Sequence, residues 1–305
     1  MNFLITGGAG NLGSALAKRF LNDKNNSVVV TDKFLTGSSN NLPKNEPRFN
    51  FIAADSNSFS EMSSIFQKNS FDYVFHYAAV VGVDRTLNDP IAVLNDIEGI
   101  KNILQLSLDY QVKRVFFSSS SEVYGEPVEI PLNETTTPLN SKLPYAIVKN
   151  VGEAYFRSFN KVHGLNYTIM RFFNTYGPNQ SDDFVIPRFI NSAKKDENIT
   201  INGDGSQTRT FLYIEDNLNF ISSIIKNNEC INMTVNVGSD EEVSILELAK
   251  TIIRLTDSKS KVVHSPALEE GDMTRRKPDI TLMKKILNRE ILSLEEGIKE
   301  YLDKT

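Results

Sequence analysis

The sequence predicts a doubly wound parallel α/β sheet followed by a second, smaller α/β unit. Short runs rich in Val, Ile and Phe alternate with longer segments whose apolar residues recur at helical spacing. This alternation is typical of βαβ units, in which right-handed crossovers place helices on both faces of a parallel sheet. The alternation ends near Asn174, and turn-forming residues such as Asn202-Gly203-Asp204-Gly205 follow. The 305 residues leave room for two domains of about 150 residues each.

The strands and helices follow from the local pattern. Several apolar runs have the length and composition of buried strands. They are Phe3–Ile5, Val28–Val30, Phe49–Ala53, Tyr73–Tyr77, Val115–Phe117 and Asn166–Phe172. Other segments carry apolar residues three and four positions apart, which gives a helix one apolar face. These faces are formed by Leu12, Ala15, Leu16 and Phe20, by Ile97, Ile100, Ile103 and Leu104, and by Ile245, Leu248, Ala249 and Ile252. The order of the elements is that of repeated βαβ units.

The composition excludes several classes of protein. The chain is 40% hydrophobic and 23% charged with a net charge of −5, so it lacks the basic balance of a nucleic-acid binder. Cys230 is the single cysteine, and the three histidines lack the spacing of a metal site. The N-terminus does not resemble a signal peptide, and no apolar run has the length of a membrane span. We therefore expect a soluble cytoplasmic protein with no metal, nucleic-acid or membrane partner.

A glycine-rich turn, Gly7-Gly8-Ala9-Gly10-Asn11-Leu12-Gly13, follows the first strand and opens the first helix. Glycines let the backbone approach a pyrophosphate closely, and the free N–H groups of the helix N-terminus bind that anion. Asp32 ends the second strand, where a carboxylate accepts the ribose hydroxyls and favours NAD over NADP, although Lys33 follows directly. Asp55, just past the third strand, either binds the adenine amino group or caps the next helix. The pattern predicts a Rossmann-type NAD site.

Two further motifs carry groups suited to proton transfer. Tyr145 and Lys149 are four residues apart and share a helical face. A free tyrosine has a pKa of about 10, and a nearby ammonium together with a bound nicotinamide cation would lower it enough for Tyr145 to act as a base. Ser118-Ser119-Ser120-Ser121-Glu122 follows the fifth strand, at the edge where doubly wound sheets bind ligands. A serine there can bond the reacting oxygen, and Glu122 can transfer a proton. An exposed helix face and a polar loop are the alternative interpretations.

Taken together, these motifs resemble those of the extended short-chain dehydrogenase/reductases that act on nucleotide sugars. The resemblance covers nearly the whole chain. Its motifs are Thr6–Gly13, His76-Tyr77-Ala78-Ala79, Ser118–Gly125, Tyr145 with Lys149, Arg171–Pro178, Gly203–Gly205, Gln207–Phe211 and Arg275–Ile280. The resemblance implies a catalytic set of Ser120, Tyr145 and Lys149, with Lys149 and Ala78 also beside the cofactor.

The resemblance also implies residues that bind the substrate. Asn174 and Arg209 are expected to face the nucleotide diphosphate, and Arg275 and Arg276 to approach its phosphates. Lys142 stands where UDP-glucuronate decarboxylases carry an arginine that meets the substrate carboxylate. We accordingly expect residues 1–173 to form the NAD-binding domain, with 206–236 returning to it. Residues 174–205 and 237–305 are expected to form the nucleotide-sugar domain. Family members form homodimers through two helices, here those near Asn95–Leu108 and Tyr145–Asn160.

The motifs leave the reaction open within this family. Leu143-Pro144-Tyr145-Ala146 looks like the corresponding segment of UDP-sugar 4-epimerases, whereas Glu122 and the Arg275–Ile280 tail look like UDP-glucuronate decarboxylase. Ser121 stands where dTDP-glucose dehydratases carry Asp, yet Glu122 still allows 4,6-dehydration. We expect C4 epimerisation of a UDP-sugar through a transient 4-keto intermediate. The alternatives are decarboxylation, dehydration, a plain NAD-dependent alcohol or ketone reductase, and a non-catalytic NAD-binding protein of the same fold.

Overall fold

The structure is a computed structural model that describes residues 1–266 and 275–305. The chain divides into two compact units, each assembled from three segments. Unit 1 comprises Met1–Val123, Ser141–Arg171 and Ser222–Val235, and unit 2 comprises Tyr124–Asn140, Phe172–Ile221 and Asn236–Thr305.

Strands and helices alternate along most of the described chain. The strands are β1 (Asn2–Thr6), β2 (Ser27–Asp32), β3 (Phe49–Ala53), β4 (Tyr73–His76), β5 (Arg114–Ser120), β6 (Tyr167–Phe172), β7 (Asn174–Tyr176), β8 (Ile199–Asn202), β9 (Thr208–Tyr213), β10 (Met233–Val237), β11 (Glu242–Ser244) and β12 (Val262–Ser265). The helices are α1 (Asn11–Leu21), α2 (Phe59–Lys68), α3 (Val83–Asn88), α4 (Pro90–Asp109), α5 (Pro144–His163), α6 (Val185–Lys194), α7 (Ile214–Lys226), α8 (Ile245–Leu255), α9 (Thr281–Leu287) and α10 (Leu294–Asp303).

The largest sheet of the described residues has seven strands in the order β10-β6-β5-β4-β1-β2-β3. Its pairings from β3 across to β5 are parallel. The chain runs outward from β1 to β3 and then returns to the other side of β1 to form β4. This reversal makes a topological switch point beside the carboxyl ends of β1 and β4, where open α/β sheets bind their ligands. The predicted doubly wound α/β fold is confirmed.

Burial on both faces explains why these strands are continuous apolar runs. On one face the rings of Phe3 and Phe20 stack at 4.0 Å, and those of Phe75 and Phe116 at 4.3 Å. The opposite face packs on α2, α4 and α5, and its core includes residues such as Ile103. Helix α5 packs against both α4 and β5, which brings its first turns close to the serine-rich end of β5.

Unit 2 contains smaller sheets. Strand β9 pairs in parallel with β7 and antiparallel with β11, and β12 pairs in parallel with β8. Helix α8 packs against both α6 and α10 in the same unit. Helices α8 and α10 begin with capping boxes, in which Ser244 and Ser293 bond the third residue of their helices and receive a bond in return.

The observed boundaries differ from the predicted ones mainly in two segments, apart from shifts of one or two residues elsewhere. Residues 206–221, which we expected in the first domain, belong to unit 2, because β9 is hydrogen-bonded to β7 and β11 there. Residues 124–140 also belong to unit 2, where Leu132 forms a backbone bridge with Pro278. Residues 267–274 of the predicted second domain lie outside the described residues.

Among the described residues, no helix combines the length and the apolar composition that a bilayer crossing requires. The same residues contain no group of three or more His, Cys, Asp or Glu side chains suited to hold a metal ion.

Candidate active site

The turn between β1 and α1 is so tightly packed that two of its positions accept only glycine, and the N-terminus of α1 has no side-chain cap. Gly7 has a φ of +66°, and a Cβ there would lie 2.6 Å from the Ala78 nitrogen. A Cβ on Gly13 would lie 2.7 Å from the Gly7 oxygen. Gly10 is the N-cap of α1 and provides no side-chain cap, so a ligand can take the place of a cap at this helix N-terminus. The buried Asn11 Oδ1 has no hydrogen-bond partner within the protein. These features fit the pyrophosphate of a dinucleotide.

The carboxylate of Asp32 is held at the end of β2 by two backbone amides. Ala9 N donates to Oδ2 at 2.9 Å, and Phe34 N donates to Oδ1 at 2.7 Å. The first of these bonds ties Asp32 directly to the glycine turn. Asp32 therefore lies where a dinucleotide-binding fold carries its ribose carboxylate.

Asp55 lies beyond β3 and is paired with Lys33 at 2.6 Å. Partial burial acts to raise the pKa of Asp55, but the bonds from Lys33 and the Asn57 amide lower it below its usual value. The alternative role that we considered for Asp55, capping the following helix, is wrong. Ser58 caps α2 by accepting a bond from Glu61 N.

Lys149 is buried at the carboxyl edge of the sheet and is only 3% exposed. Its Nζ lies 3.4 Å from Ser118 Oγ, 5.6 Å from the ring centre of Tyr145 and 5.0 Å from that of Phe117. Burial lowers the pKa of Lys149 to about 8, and the charge of Asp96 opposes that shift. The structure thus brings the predicted Tyr145, Lys149 and serine-rich segment together within unit 1.

Asp96 is a residue that the motifs missed. It lies on α4, where Val80 N donates to Oδ2 at 2.7 Å and Asn57 Nδ2 donates to Oδ1 at 3.3 Å. Burial raises its pKa, and Lys149 is among the groups that lower it. The signal was available, because Asp96 precedes the apolar residues Ile100 and Ile103 by four and seven positions and so shares their buried face.

Strand β5 extends through Ser120, so Ser118–Ser120 end the strand and do not follow it as predicted. Ser119 and Ser120 have different partners. Ser120 is buried, and its Oγ accepts a bond from Glu122 N at 3.1 Å. Glu122 is half-buried in the 3₁₀ turn Ser121–Tyr124. Ser119 donates to Glu153 Oε1 at 2.7 Å. The segment is therefore fixed by side-chain bonds and is not a loose polar loop.

Glu153 lies one helical turn after Lys149 and is fully buried. Arg171 donates to both of its oxygens at 2.8 Å, and Arg157 adds a bond at 2.6 Å. Burial acts to raise the pKa of Glu153, but the bonds and charges of Arg171 hold it below its usual value. This cluster ties α5 to β5 and β6, and so fixes the position of the helix that carries Tyr145 and Lys149.

His76 is a structural histidine of the same region. Its Nδ1 lies 2.9 Å from Thr6 Oγ1, which also accepts a bond from Ala78 N. Burial and the charge of Lys149 lower the pKa of His76 to about 3. The ring is therefore neutral near pH 7, and Thr6 links it to the backbone of Ala78.

The predicted substrate-binding residues, apart from Lys142, belong to unit 2. Asn174 Nδ2 donates to Thr210 O at 3.0 Å, and Arg209 Nη1 donates to Thr208 O at 2.7 Å. Arg276 is buried. Lys142, in unit 1, is exposed two residues before α5.

The Arg275 guanidinium is already bonded to a carboxylate of the same unit, that of Glu242. It donates to both oxygens of Glu242 at 2.7 Å, which lowers the pKa of that carboxyl. A phosphate at Arg275 would have to compete with this carboxylate.

Fold and site together define a dinucleotide-binding α/β protein with a tyrosine–lysine pair at its ligand edge. The sequence matches the model of the NAD dependent epimerase/dehydratase family over residues 3–238, and the chain belongs to that family. The predicted resemblance is confirmed. The chain is an NAD-dependent enzyme of the nucleotide-sugar epimerase, decarboxylase and dehydratase class, and the glycine turn and Asp32 fit its cofactor.

Relatives and solved structures carry more than one activity. The chain is 37% identical to a UDP-N-acetyl-alpha-D-glucosaminuronate decarboxylase of Bacillus cytotoxicus, over 98% of this chain and 96% of that protein. It is 31% identical to a UDP-glucose 4-epimerase of Thermotoga maritima solved with UDP-glucose, with a TM-score of 0.91 and coverage of 100% and 99%. A Thermus thermophilus UDP-glucose 4-epimerase solved with NAD has a TM-score of 0.90 at 25% identity, with coverage of 99% and 98%.

Proposed function

We propose that the chain inverts C4 of a UDP-sugar through a transient 4-keto intermediate, with Tyr145 as the base. The observation that carries this proposal is the buried Lys149 ammonium, 5.6 Å from the Tyr145 ring centre and 3.4 Å from Ser118 Oγ. A cation in a site of low dielectric constant stabilises a phenolate more strongly than it would in water.

The residues divide the work of the first half-reaction. NAD, when bound, supplies the acceptor for the hydrogen that leaves C4 together with its electron pair. Tyr145 takes the proton of the 4-hydroxyl, so that C4 becomes a ketone. Lys149 stabilises the phenolate before that transfer, and the Ser120 hydroxyl bonds O4. The hydrogen then returns to the opposite face of C4, which inverts the sugar at that carbon. Tyr145 gives the proton back to O4.

Inversion is supported by the epimerases among the solved structures. The Thermotoga maritima structure carries UDP-glucose, which suggests a UDP-sugar for this chain as well. Asn174, Arg209, Arg275 and Arg276 are the proposed contacts to the nucleotide and its phosphates.

Decarboxylation is a second candidate, supported by the 37% identical decarboxylase and by the Arg275–Ile280 tail. A C4 ketone makes the C6 carboxylate of a uronic acid a β-keto acid, which loses CO₂ readily. In this case Lys142 would meet the carboxylate, as a single point charge without the two-pronged geometry of arginine.

We also propose a homodimer formed through α4 and α5. These helices pack together and expose apolar side chains, with Ile91 at 66%, Leu94 at 38% and Ile147 at 40%. Light scattering of the purified chain should give twice the monomer mass, and Ile147→Asp should give monomers. A monomeric unmodified chain would contradict this proposal.

The reaction is tested by incubating the purified chain with UDP-glucose, UDP-N-acetylglucosamine, their two uronic acids and GDP-mannose. Mass spectrometry and NMR then identify the product. A C4-inverted sugar of unchanged mass is the expected result. Loss of CO₂ from a uronic acid would show that the chain is a decarboxylase, the second candidate. Loss of water would show that it is a dehydratase, with Glu122 as the proton-transfer group. Net NADH release, with the sugar left oxidised, would contradict both candidates.

A further inference from the structure

Lys33 and Asp55 join the carboxyl ends of two neighbouring strands beside the ribose carboxylate. Strands β2 and β3 are parallel, with Asp32 opposite Ala53. Lys33 follows Asp32 directly, and Asp55 lies two residues beyond Ala53. The Lys33 Nζ to Asp55 Oδ2 distance is 2.6 Å, and the two side chains are 44% and 35% exposed. The pair is therefore accessible to a ligand that lies at this edge.

Asp55 is the fixed member of the pair. Its Oδ1 accepts a bond from Asn57 N at 3.0 Å, its own N donates to Glu61 Oε2 at 2.8 Å, and its carbonyl accepts from Ser58 N at 2.9 Å. Lysine has a flexible four-carbon stem, so its ammonium goes where a fixed anion holds it. Asp55 therefore determines the direction in which Lys33 points.

The backbone at Lys33 is fixed on both sides. Asp32 is anchored by Ala9 N and Phe34 N. Phe34 has a φ of +58°, and its ring packs on that of Phe51 at 5.0 Å. Only the side chain of Lys33 is free to turn, and an ammonium at this position is a suitable partner for a 2′-phosphate, which dinucleotide-binding folds contact near the end of β2.

We propose that Asp55 is a specificity determinant for NAD over NADP, because it binds the Lys33 ammonium that would otherwise contact the 2′-phosphate. Asp32, Lys33 and Asp55 together carry one net negative charge. A phosphate that took Lys33 from Asp55 would lie near two carboxylates, neither of them paired with a cation from this set. Asp32 alone is therefore not the whole basis of the discrimination. The inference rests on the NAD cofactor and is independent of the reaction proposed above.

The test measures the binding of NAD⁺ and NADP⁺ to the full chain, freed of bound nucleotide, by titration calorimetry at low salt. Asp55→Asn should lower the dissociation constant of NADP⁺ relative to that of NAD⁺ by about fivefold, the effect of one exposed charge pair. The double variant Lys33→Gln/Asp55→Asn should show no such gain, and added salt should weaken the gain in the single variant.

A second lysine–aspartate pair in the same unit provides a matched control. Lys113 and Asp72 are 2.8 Å apart. They immediately precede β5 and β4 and therefore lie at the opposite edge of the sheet. Asp72→Asn should leave the preference between the two cofactors unchanged. An unchanged preference in Asp55→Asn, an equal gain in the double variant, or the same gain in Asp72→Asn would each overturn the proposal.

Discussion

At the scale of single residues, the buried ammonium of Lys149 is the main electrostatic feature of the candidate site. Burial lowers its pKa to about 8, and Asp96 keeps it from falling further. An ammonium that is only weakly solvated interacts strongly with a nearby phenolate. Sequence spacing was enough to predict that Tyr145 and Lys149 share a helical face. The same rule places Asp96 on the buried face of its helix, but spacing does not show that Asp96 acts on Lys149 in another helix.

Tyr145→Phe tests the base. The substitution removes the hydroxyl and leaves the ring, so turnover should fall by about 10² or more while NAD binding persists. Steady-state rates and the NAD content of the purified variant measure the two effects. Tyr155→Phe on the same helix should keep full activity. Normal turnover in Tyr145→Phe would remove Tyr145 from its role.

Asp96→Asn tests the electrostatic setting of Lys149. The pKa of Lys149 is about 8, so the protonated form is present below that pH and is lost above it. Removing the Asp96 charge lowers this pKa further, and the loss of activity on the alkaline side should move to lower pH. The pH profile of kcat, measured with NAD bound, shows the shift. Asp109→Asn, at the exposed end of the same helix, should leave the profile in place. If both variants gave the unmodified profile, Asp96 would have no such influence.

At the scale of elements, the fold of unit 1 was predictable because its central strands are buried on both faces. Residues such as Val28 and Val30 are fully buried and read as a continuous apolar run. The division into units was less predictable. The placement of residues 124–140 depends on the bridge between Leu132 and Pro278, and that of 206–221 on strand pairing. Local patterns do not encode partners so distant in sequence.

Gly7→Ala tests the glycine turn. The added Cβ would meet the Ala78 backbone at 2.6 Å in a conformation with positive φ, so the turn must open and NAD binding should fall sharply. Gly164→Ala is the control, since Gly164 has a φ of +75° but open space around it. It should cost about 1 kcal/mol of stability and keep NAD. Bound nucleotide and the unfolding midpoint are measured for each. Equal retention of NAD would show that the turn does not bind it.

Glu153→Gln tests the buried cluster behind the helix that carries Tyr145 and Lys149. It leaves the buried Arg171 without its carboxylate, and the free energy of unfolding should fall by about 3–5 kcal/mol. Because the folded-state pKa of Glu153 is lowered, its stabilisation is present above the unfolded-state pKa and is lost as the pH falls. Urea unfolding at several pH values measures both effects. Glu295→Gln breaks exposed pairs with Arg254 and Lys299 and should lower the free energy of unfolding by much less. Equal effects of the two variants would contradict the account.

At the scale of the whole molecule, the motifs predicted the enzyme class but left its outcome open. All three outcomes would begin with the same oxidation at C4, so the proposed roles of Tyr145 and Lys149 do not distinguish between them. The outcome depends on how the ketone is held, and no local pattern describes those contacts. Arg275 illustrates the limit. Its motif suggested a phosphate ligand, whereas the structure shows its guanidinium bonded to Glu242, 33 residues earlier in the chain.

In the proposed reaction, the hydrogen removed from C4 returns to the same sugar. The most direct measurement uses the accepted UDP-sugar carrying deuterium at C4, converted in ordinary water and examined by NMR. We predict that the product retains the label on the sugar and that labelled substrate turns over more slowly than unlabelled substrate. A product that carries solvent hydrogen in place of the label would contradict the account.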